Sequence, residues 1–149
     1  MDFNIYRIGE KLILPTSAKT VAGYYLETEP VFVTATDNAS EIERIVAGFL
    51  EQGNPLVSTP DWRRPPQPAV LKHAQCKSWA SFVNRAACWN IHGDRDSYTV
   101  IRCKKMAGHA AWEPDFEHAA AIPGTGDLRE IAKQIVGCIL HKVSGLVDG

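Results

Sequence analysis

Two histidine–cysteine pairs have the spacing of a zinc site. His73 and Cys76 are separated by two residues, and Cys88 and His92 follow with three residues between them. Thiolate sulfur and imidazole nitrogen are ligands that Zn²⁺ prefers, and similar spacings are typical of zinc fingers. If residues 88–92 form a strand, however, Cys88 and His92 share a face but lie about 13 Å apart. The strand interpretation therefore favours reduced, buried cysteines and a surface histidine over a metal site.

A cysteine nucleophile is the second chemistry to consider. Cys103 lies between Arg102 and Lys104, and nearby positive charge activates a thiol. Alternation along a strand places Cys103 on the face opposite these two residues, and Cys138 falls on the apolar stripe of a predicted helix. The sequence also lacks the phosphate-binding, hydrolase and dinucleotide-binding glycine motifs. We therefore expect no enzymatic activity and no cofactor, with a small zinc- or cysteine-dependent enzyme as the alternative.

A third group of residues suits binding rather than catalysis. Glu113, Asp115 and Glu117 are closely spaced; they suggest an acid/base or metal cluster, although solvated residues at a strand edge are the simpler interpretation. Trp62 and Trp112 lie beside charged residues in predicted loops. Protein interfaces favour Trp, Tyr and Arg as anchors, so both tryptophans are candidates for contact with a partner. The alternative is that they fold back over the sheet.

The composition is that of one ordinary globular domain. The chain has 149 residues, of which 45% are hydrophobic, and its formal net charge is −1. A near-zero charge argues against direct binding of nucleic acid or of an anionic membrane surface. The sequence shows no secretory signal, no apolar run long enough to span a membrane and no C-x-x-C pair among its four cysteines. We expect a single domain over residues 1–149 in the cytosol.

Hydrophobic periodicity predicts an α+β fold with a mainly antiparallel sheet. Two principal helices are expected at about 40–52 and 127–140, with a shorter helix near 76–87. Ser40 with Glu43, and Asp127 with Glu130, have the spacing of capping boxes at the two longer helices. A proline-rich loop covers residues 54–68 and forms either a tight surface excursion or a mobile loop. The predicted strands are 3–8, 12–14, 24–26, 31–34, 88–92, 98–103 and 116–122.

The order of motifs in the C-terminal half resembles a known protein family. The motifs are, in order, Lys77-Ser78-Trp79, an amphipathic helix through Phe82, a hairpin ending in Tyr98-Thr99-Val100-Ile101, a strand from His118 to Pro123, and a capped helix from Leu128 to Leu140. This pattern over residues 70–142 is similar to the CdiI-type immunity proteins of bacterial contact-dependent growth inhibition systems. The N-terminal half matches only in general layout.

The resemblance implies a cytosolic protein that performs no chemistry. Such proteins bind the C-terminal toxin domain of a large exported effector as a 1:1 heterodimer and block its action. The toxins are often nucleases, many of which cut tRNA. A regulatory subunit of another assembly is the alternative. The near-neutral charge departs from the strong acidity that is common in inhibitors of basic nucleases, so any acidity would have to be local.

The family supplies no interface motif, so the partner-binding residues are inferred from their chemistry. We expect two loops at one end of the C-terminal sheet to form the surface, because carboxylates can pair with the basic residues a nuclease uses on phosphates. A second candidate surface lies in the proline-rich loop. The residues of the first surface are Asp94, Arg95, Asp96, Trp112, Glu113, Asp115 and Glu117, and those of the second are Trp62, Arg63 and Arg64.

Overall fold

A computed structural model of the chain describes residues 1–94 and 96–148, with side chains through residue 140. Within this part, seven strands form one sheet with helices on both faces, which confirms the predicted α+β class. None of the described helices is both long and apolar enough to cross a membrane.

The sheet has the strand order β3-β2-β1-β5-β6-β7, and all these neighbours are antiparallel. The short β4 pairs parallel with the end of β2. The central pair is β1 with β5, from Asp2 opposite His92 to Arg7 opposite Ala87, so the two halves of the chain share one sheet. The strands are β1 (Asp2–Ile8), β2 (Lys11–Thr20), β3 (Tyr25–Ala35), β4 (Leu56–Val57), β5 (Ala87–Gly93), β6 (Ser97–Lys105) and β7 (Trp112–Pro123).

Four helices lie in the described part, two on each face of the sheet. They are α1 (Ala39–Gln52), α2 (Val70–Ala74), α3 (Trp79–Arg85) and α4 (Leu128–Asp148). The long helices α1 and α4 pack on one face, against side chains such as Phe3 and Trp89. The short helices α2 and α3 pack on the other face, near Tyr6 and Cys88. The alternation of side chains along β1 and β5 thus supplies both layers of core.

The apolar stripe of α1 explains why this helix can be predicted from the sequence. Its members recur at helical spacing, and all of them are buried against the sheet or α4: Ile42, Ile45, Val46, Phe49 and Leu50. Full burial of one such side chain contributes about 1.5–3 kcal/mol. The stripe therefore fixes which face of α1 meets the sheet.

The N-terminal strands are longer than predicted. Pro15 does not end β2, because it lies at an irregularity of register between Pro15 and Thr16, where a missing N–H is tolerated. The predicted strands 24–26 and 31–34 are one edge strand, β3, with Pro30 inside it after a cis peptide bond. Edge strands accept proline because one side of the strand needs no ladder hydrogen bonds.

The predicted cap of α1 is wrong by two residues. The side chain of Asn38, not Ser40, accepts the N–H of Glu41 at 3.4 Å, and the helix begins at Ala39. Asparagine is as effective an N-cap residue as serine. Because Asn38 stands two residues earlier, the helix begins at Ala39. The cap of α4 is confirmed, since Asp127 accepts the N–H of a first-turn residue at 2.8 Å.

The predicted helix near 76–87 is shorter, because Ser78 caps α3 by accepting the N–H of Ser81 at 3.1 Å. A separate short helix, α2, precedes it and ends at Gln75, which adopts a left-handed conformation. Helix α4 continues past residue 140, its predicted end.

The proline-rich segment 54–68 is a surface excursion that is attached to the sheet where it begins. Asn54 accepts the backbone N–H of Asp2 at 3.0 Å and donates to the carbonyls of Asp2 and Ser17 at 2.9 and 2.8 Å. The N–H of Lys19 then donates to the carbonyl of Pro55 at 2.8 Å. Asn54 therefore fills the gap that opens where β1 and β2 diverge.

Candidate partner-binding groove

A groove crosses the sheet face opposite α1 and α4, where α2, α3 and the proline-rich segment cover only part of the strands. It consists of two cavities of about 480 and 450 Å³ that meet at Asn4, Tyr6 and Trp79. We call them together the sheet groove. Residues at one end include Tyr25, Glu27, Trp62, Pro66 and Pro68, and those at the other end include Cys88, Cys103, Trp112, Glu113 and Pro114.

The floor of the sheet groove is a chain of hydrogen-bonded polar side chains. The Nδ1 atom of His92 lies 2.8 Å from the amide oxygen of Asn90, which accepts the bond. The amide nitrogen of Asn90 donates to Asp2 and Asn4, each at 2.9 Å. Asn4 donates in turn to Glu27 at 3.2 Å. The network links three strands, so it holds the floor in one arrangement.

Glu27 is the ionisable centre of this floor. Its Oε2 atom accepts the hydroxyl of Tyr6 at 2.7 Å in addition to the amide of Asn4. Ser17 lies opposite Glu27 on β2, and its short side chain leaves room for the carboxylate to reach β1. Burial raises the pKa of Glu27 to about 7, against the opposing effect of the two hydrogen bonds. The pKa of Tyr6 is raised by burial and by the charge of Glu27.

An aromatic cluster supports the middle of the groove. The ring of Phe82 is fully buried and contacts Tyr6, Trp79 and Trp112 at centroid distances of 4.9, 5.4 and 5.8 Å. Trp79 and Trp112 also meet edge to face at 5.8 Å. Such pairs contribute about 0.5–1.5 kcal/mol each beyond the burial of area. They fix both tryptophans at the side of the groove.

Two cysteines face each other across β5 and β6 at the Trp112 end. Because Trp89 pairs with Arg102, Cys88 lies opposite Cys103. A hydrogen bond from the Cys88 thiol lowers the pKa of Cys103, and the same bond, together with burial, raises the pKa of Cys88. Both are free thiols. This contact, rather than the flanking basic residues, governs the acidity of Cys103.

The four residues with zinc-like spacing have other partners. His73 lies 3.0 Å from a carboxylate oxygen of Glu29, and the sulfur of Cys76 accepts a bond from Arg85 at 3.3 Å. Cys88 and His92 lie on β5, as the strand interpretation predicted. In the described part of the chain, no three His, Cys, Asp or Glu side chains are placed to hold a metal ion.

Of the residues predicted in the proline-rich segment, Trp62 reaches the sheet groove. Its side chain is 58% exposed, and its ring packs against Tyr24 at 5.7 Å. Arg63 bonds to Asp61 within the same turn, and the N–H of Arg64 donates to the carbonyl of Asp61. The two arginines are exposed and do not line the groove.

The predicted acidic cluster is divided between different surroundings. Trp112 is half-buried at the start of β7, not in a loop, and Glu113 beside it lines the sheet groove. Asp115 pairs with His118 at 2.7 Å, and this contact lowers the pKa of Asp115. Glu117 lines a different cavity, next to Trp89 and Cys138.

The predicted grouping of the two C-terminal loops is wrong. Asp94 and Asp96 lie in the turn before β6, whereas the loop that leads to Trp112 follows β6. The nine residues of β6 separate these loops by roughly 26 Å. Asp94 and Asp96 continue from β5, the strand that carries Asn90 and His92. Arg95 lies outside the described residues.

A separate cavity of about 510 Å³ lies beyond Trp112 and carries positive charge. Its lining includes five basic residues: Arg7, Arg85, Arg102, Lys104 and Lys105. Lys104 pairs with Glu113 at 3.8 Å. Although the net charge is near zero, the floor of the sheet groove is therefore acidic and the cavity beside it is basic.

The sequence did not single out Asn4, Tyr6, Glu27 or Asn90. The available signal was polar residues at alternate positions of β1 and β5, strands whose other positions are apolar. That pattern is equally typical of a solvent-facing strand surface. Only the pairing of distant strands turns it into a groove floor.

No family model matches the chain, and no curated protein matches its sequence. Among solved structures, a protein of unknown function from Neisseria meningitidis has a TM-score of 0.63 and 10% identity, with 95% of each chain covered. A chain of the CdiA-CT/CdiI toxin and immunity complex from Yersinia pseudotuberculosis has a TM-score of 0.58 and 9% identity, with 93% of this chain and 94% of that chain covered. The chain therefore shares its fold with proteins that have almost no sequence identity to it, one of them from a toxin and immunity complex.

Proposed function

We propose that this chain is an immunity protein that binds and neutralises the toxin domain of a contact-dependent growth inhibition effector. The sheet groove carries the proposal, because an ordered polar floor lies uncovered between Trp62 and Trp112 while α1 and α4 cover the opposite face. The shared fold with a chain of a toxin and immunity complex supports the same role. The partner is the effector's C-terminal domain, a nuclease, bound one to one in the cytosol.

The groove suits a protein partner for two physical reasons. Tryptophans that keep one surface exposed are effective anchors, because they bury a large area with little loss of side-chain freedom. The polar floor already satisfies most of its hydrogen bonds internally, so a partner does not have to order it. Inhibition would follow if the toxin surface that enters the groove includes or adjoins the residues that cut its substrate.

The partner-binding residues expected from the sequence take different places in this proposal. Trp62, Trp112 and Glu113 line the groove and form its contact residues. Asp94 and Asp96 extend the contact along the end of β5. Arg63, Arg64 and Asp115 lie outside the groove and form its outer rim. Arg95, which lies outside the described residues, and Glu117, which lines a different cavity, stay candidates for contact with the toxin domain.

The proposal is tested by co-purification and calorimetry with the toxin domain encoded immediately upstream of this chain. We expect a 1:1 complex with nanomolar or tighter affinity, equivalent to about −12 kcal/mol or beyond, because a free nuclease would kill its own cell. Cells that express the toxin domain should grow only when this chain is present. The proposal would be overturned if no complex formed, or if cells that express the toxin domain stopped growing although this chain was present.

A further inference from the structure

We propose that the Glu27 end of the sheet groove is a receptor for a basic side chain of the protein partner, held between the carboxylate and aromatic walls. This inference rests on the proposed function, because the basic side chain belongs to the toxin domain. It names the chemistry of the contact at one defined place in the groove.

The carboxylate of Glu27 has one oxygen engaged and one available. Oε2 accepts both internal hydrogen bonds, from Tyr6 and Asn4. No donor among the described residues bonds to Oε1. The side chain lines the cavity of about 480 Å³. A donor that enters this cavity therefore meets a fixed acceptor on the floor.

The walls of the cavity fit the rest of a basic side chain. Trp62, Trp79 and Tyr25 line it with Pro66 and Pro68. Aromatic faces attract cations, and apolar surface accommodates the methylene stem of lysine or arginine. None of the residues that line the cavity is Lys, Arg or His. The described residues that line the cavity thus include no cation, and Lys19, which lies on the same face of β2 as Ser17, is outside this lining.

The charges around Glu27 favour a cation. The strand β1 contributes Asp2 and Tyr6, β3 contributes Tyr25, and β5 contributes Cys88 and, through the network, His92. The proline-rich segment and α3 face the cavity with residues that do not titrate, Trp62, Pro66, Gln67, Pro68 and Trp79. Asp2 adds to the burial that raises the pKa of Glu27 to about 7. Near neutral pH, a cation can therefore replace the proton on this carboxyl group.

The receptor can be tested on this chain alone with n-butylguanidinium as a probe and the neutral n-butylurea as its control. In an NMR titration, we expect the indole signals of Trp62 and Trp79 and the amide of Glu27 to shift, with a dissociation constant on the order of 10 mM. Binding should be roughly tenfold tighter at pH 8 than at pH 6, because a group with a pKa near 7 ionises between them. Butylurea should not bind.

Glu27→Gln should abolish both the binding and its pH dependence, while Glu51→Gln, an exposed change on α1, should alter neither. His92→Gln should keep the pH dependence. Near-UV circular dichroism checks the fold of Glu27→Gln, and Trp62→Ala, at an exposed position, supplies a second loss-of-binding variant. The proposal would be overturned if butylurea bound as tightly as butylguanidinium. It would also be overturned if Glu27→Gln and Trp62→Ala both bound butylguanidinium as the unchanged protein does.

The two proposals fail in different ways. If butylguanidinium binds as expected but no toxin domain forms a complex, the immunity function fails. If the complex forms but Glu27→Gln leaves its affinity unchanged at pH 8, the receptor fails and the immunity function stands.

Discussion

The hydroxyl of Tyr6 donates a 2.7 Å hydrogen bond to Glu27, from which it is separated in the sheet by the intervening strand β2. Ser17, the β2 residue opposite Glu27, is small enough to let the carboxylate pass. This contact between residues 21 positions apart holds a half-buried carboxylate on the groove floor. Its burial has consequences for stability as well as for binding.

Replacing Glu27 with Gln should stabilise the fold in alkaline solution. Burial raises the pKa of Glu27 from 4.5 to about 7, so the folded state holds this proton more tightly than the unfolded chain. The resulting stability is fully present below about pH 4.5 and is lost as the pH rises through about 7. Glu27→Gln should therefore raise the free energy of unfolding by on the order of 2–3 kcal/mol at pH 8.5 and by little at pH 5. Urea unfolding at both pH values measures the difference, and an equal effect at both would contradict it.

Replacing Asn54 with Ala should destabilise the fold by about 1–3 kcal/mol, because it leaves backbone groups of Asp2 and Ser17 without partners. The matched control is Asn84→Ala on α3, whose side chain is exposed, and this change should stay within about 0.5 kcal/mol. Urea unfolding of both variants provides the comparison. Similar values for the two variants would show that Asn54 does not join the strands.

Replacing Phe82 with Ala should cost about 3–5 kcal/mol, because the ring is fully buried in the aromatic cluster. Phe116 is 75% exposed on β7, so Phe116→Ala should cost less than about 0.5 kcal/mol. The two unfolding free energies test whether the cluster is a packed support for the groove. The tryptophan fluorescence of Phe82→Ala should also change, since Trp79 and Trp112 contact the lost ring.

Cys103 should react with iodoacetamide before Cys88 at pH 7.5. The hydrogen bond from Cys88 lowers the pKa of Cys103 and raises that of Cys88, and Cys88 is also buried. Cys88→Ala removes the donor, so alkylation of Cys103 should become slower. Peptide mass spectrometry over time follows both sites. Faster alkylation of Cys103 in the variant would contradict a hydrogen bond donated by the Cys88 thiol to Cys103.

Replacing Trp62 with Ala should weaken the complex with the toxin domain at least tenfold without changing stability. The side chain is mostly exposed, so its loss leaves the core intact, and an interface tryptophan commonly contributes 2 kcal/mol or more. Phe116→Ala, also at an exposed aromatic residue, should leave affinity unchanged because Phe116 lies outside the groove. The reverse order of effects would place the interface around Phe116, outside the groove.

The predicted strands were already incompatible with one of the partner-binding surfaces expected from the sequence. Successive loops of an antiparallel meander alternate between the two ends of the sheet. A strand over residues 98–103 requires Asp94 and Trp112 to lie at its opposite ends. The predicted surface, which placed both loops at one end of the C-terminal sheet, was therefore inconsistent with the predicted strands, and the structure corrects it.

The sequence alone determined the fold class, the two long helices and the positions of most strands. These depend on local periodicity, because the stripe of α1 and the alternation of β1 repeat within a few residues. The tertiary structure decided the sheet groove. Its floor joins Asn4, Glu27 and Asn90, and that proximity depends on which distant strands pair. Strand pairing is set by the burial of both faces of the whole sheet, for which no short segment carries a signal.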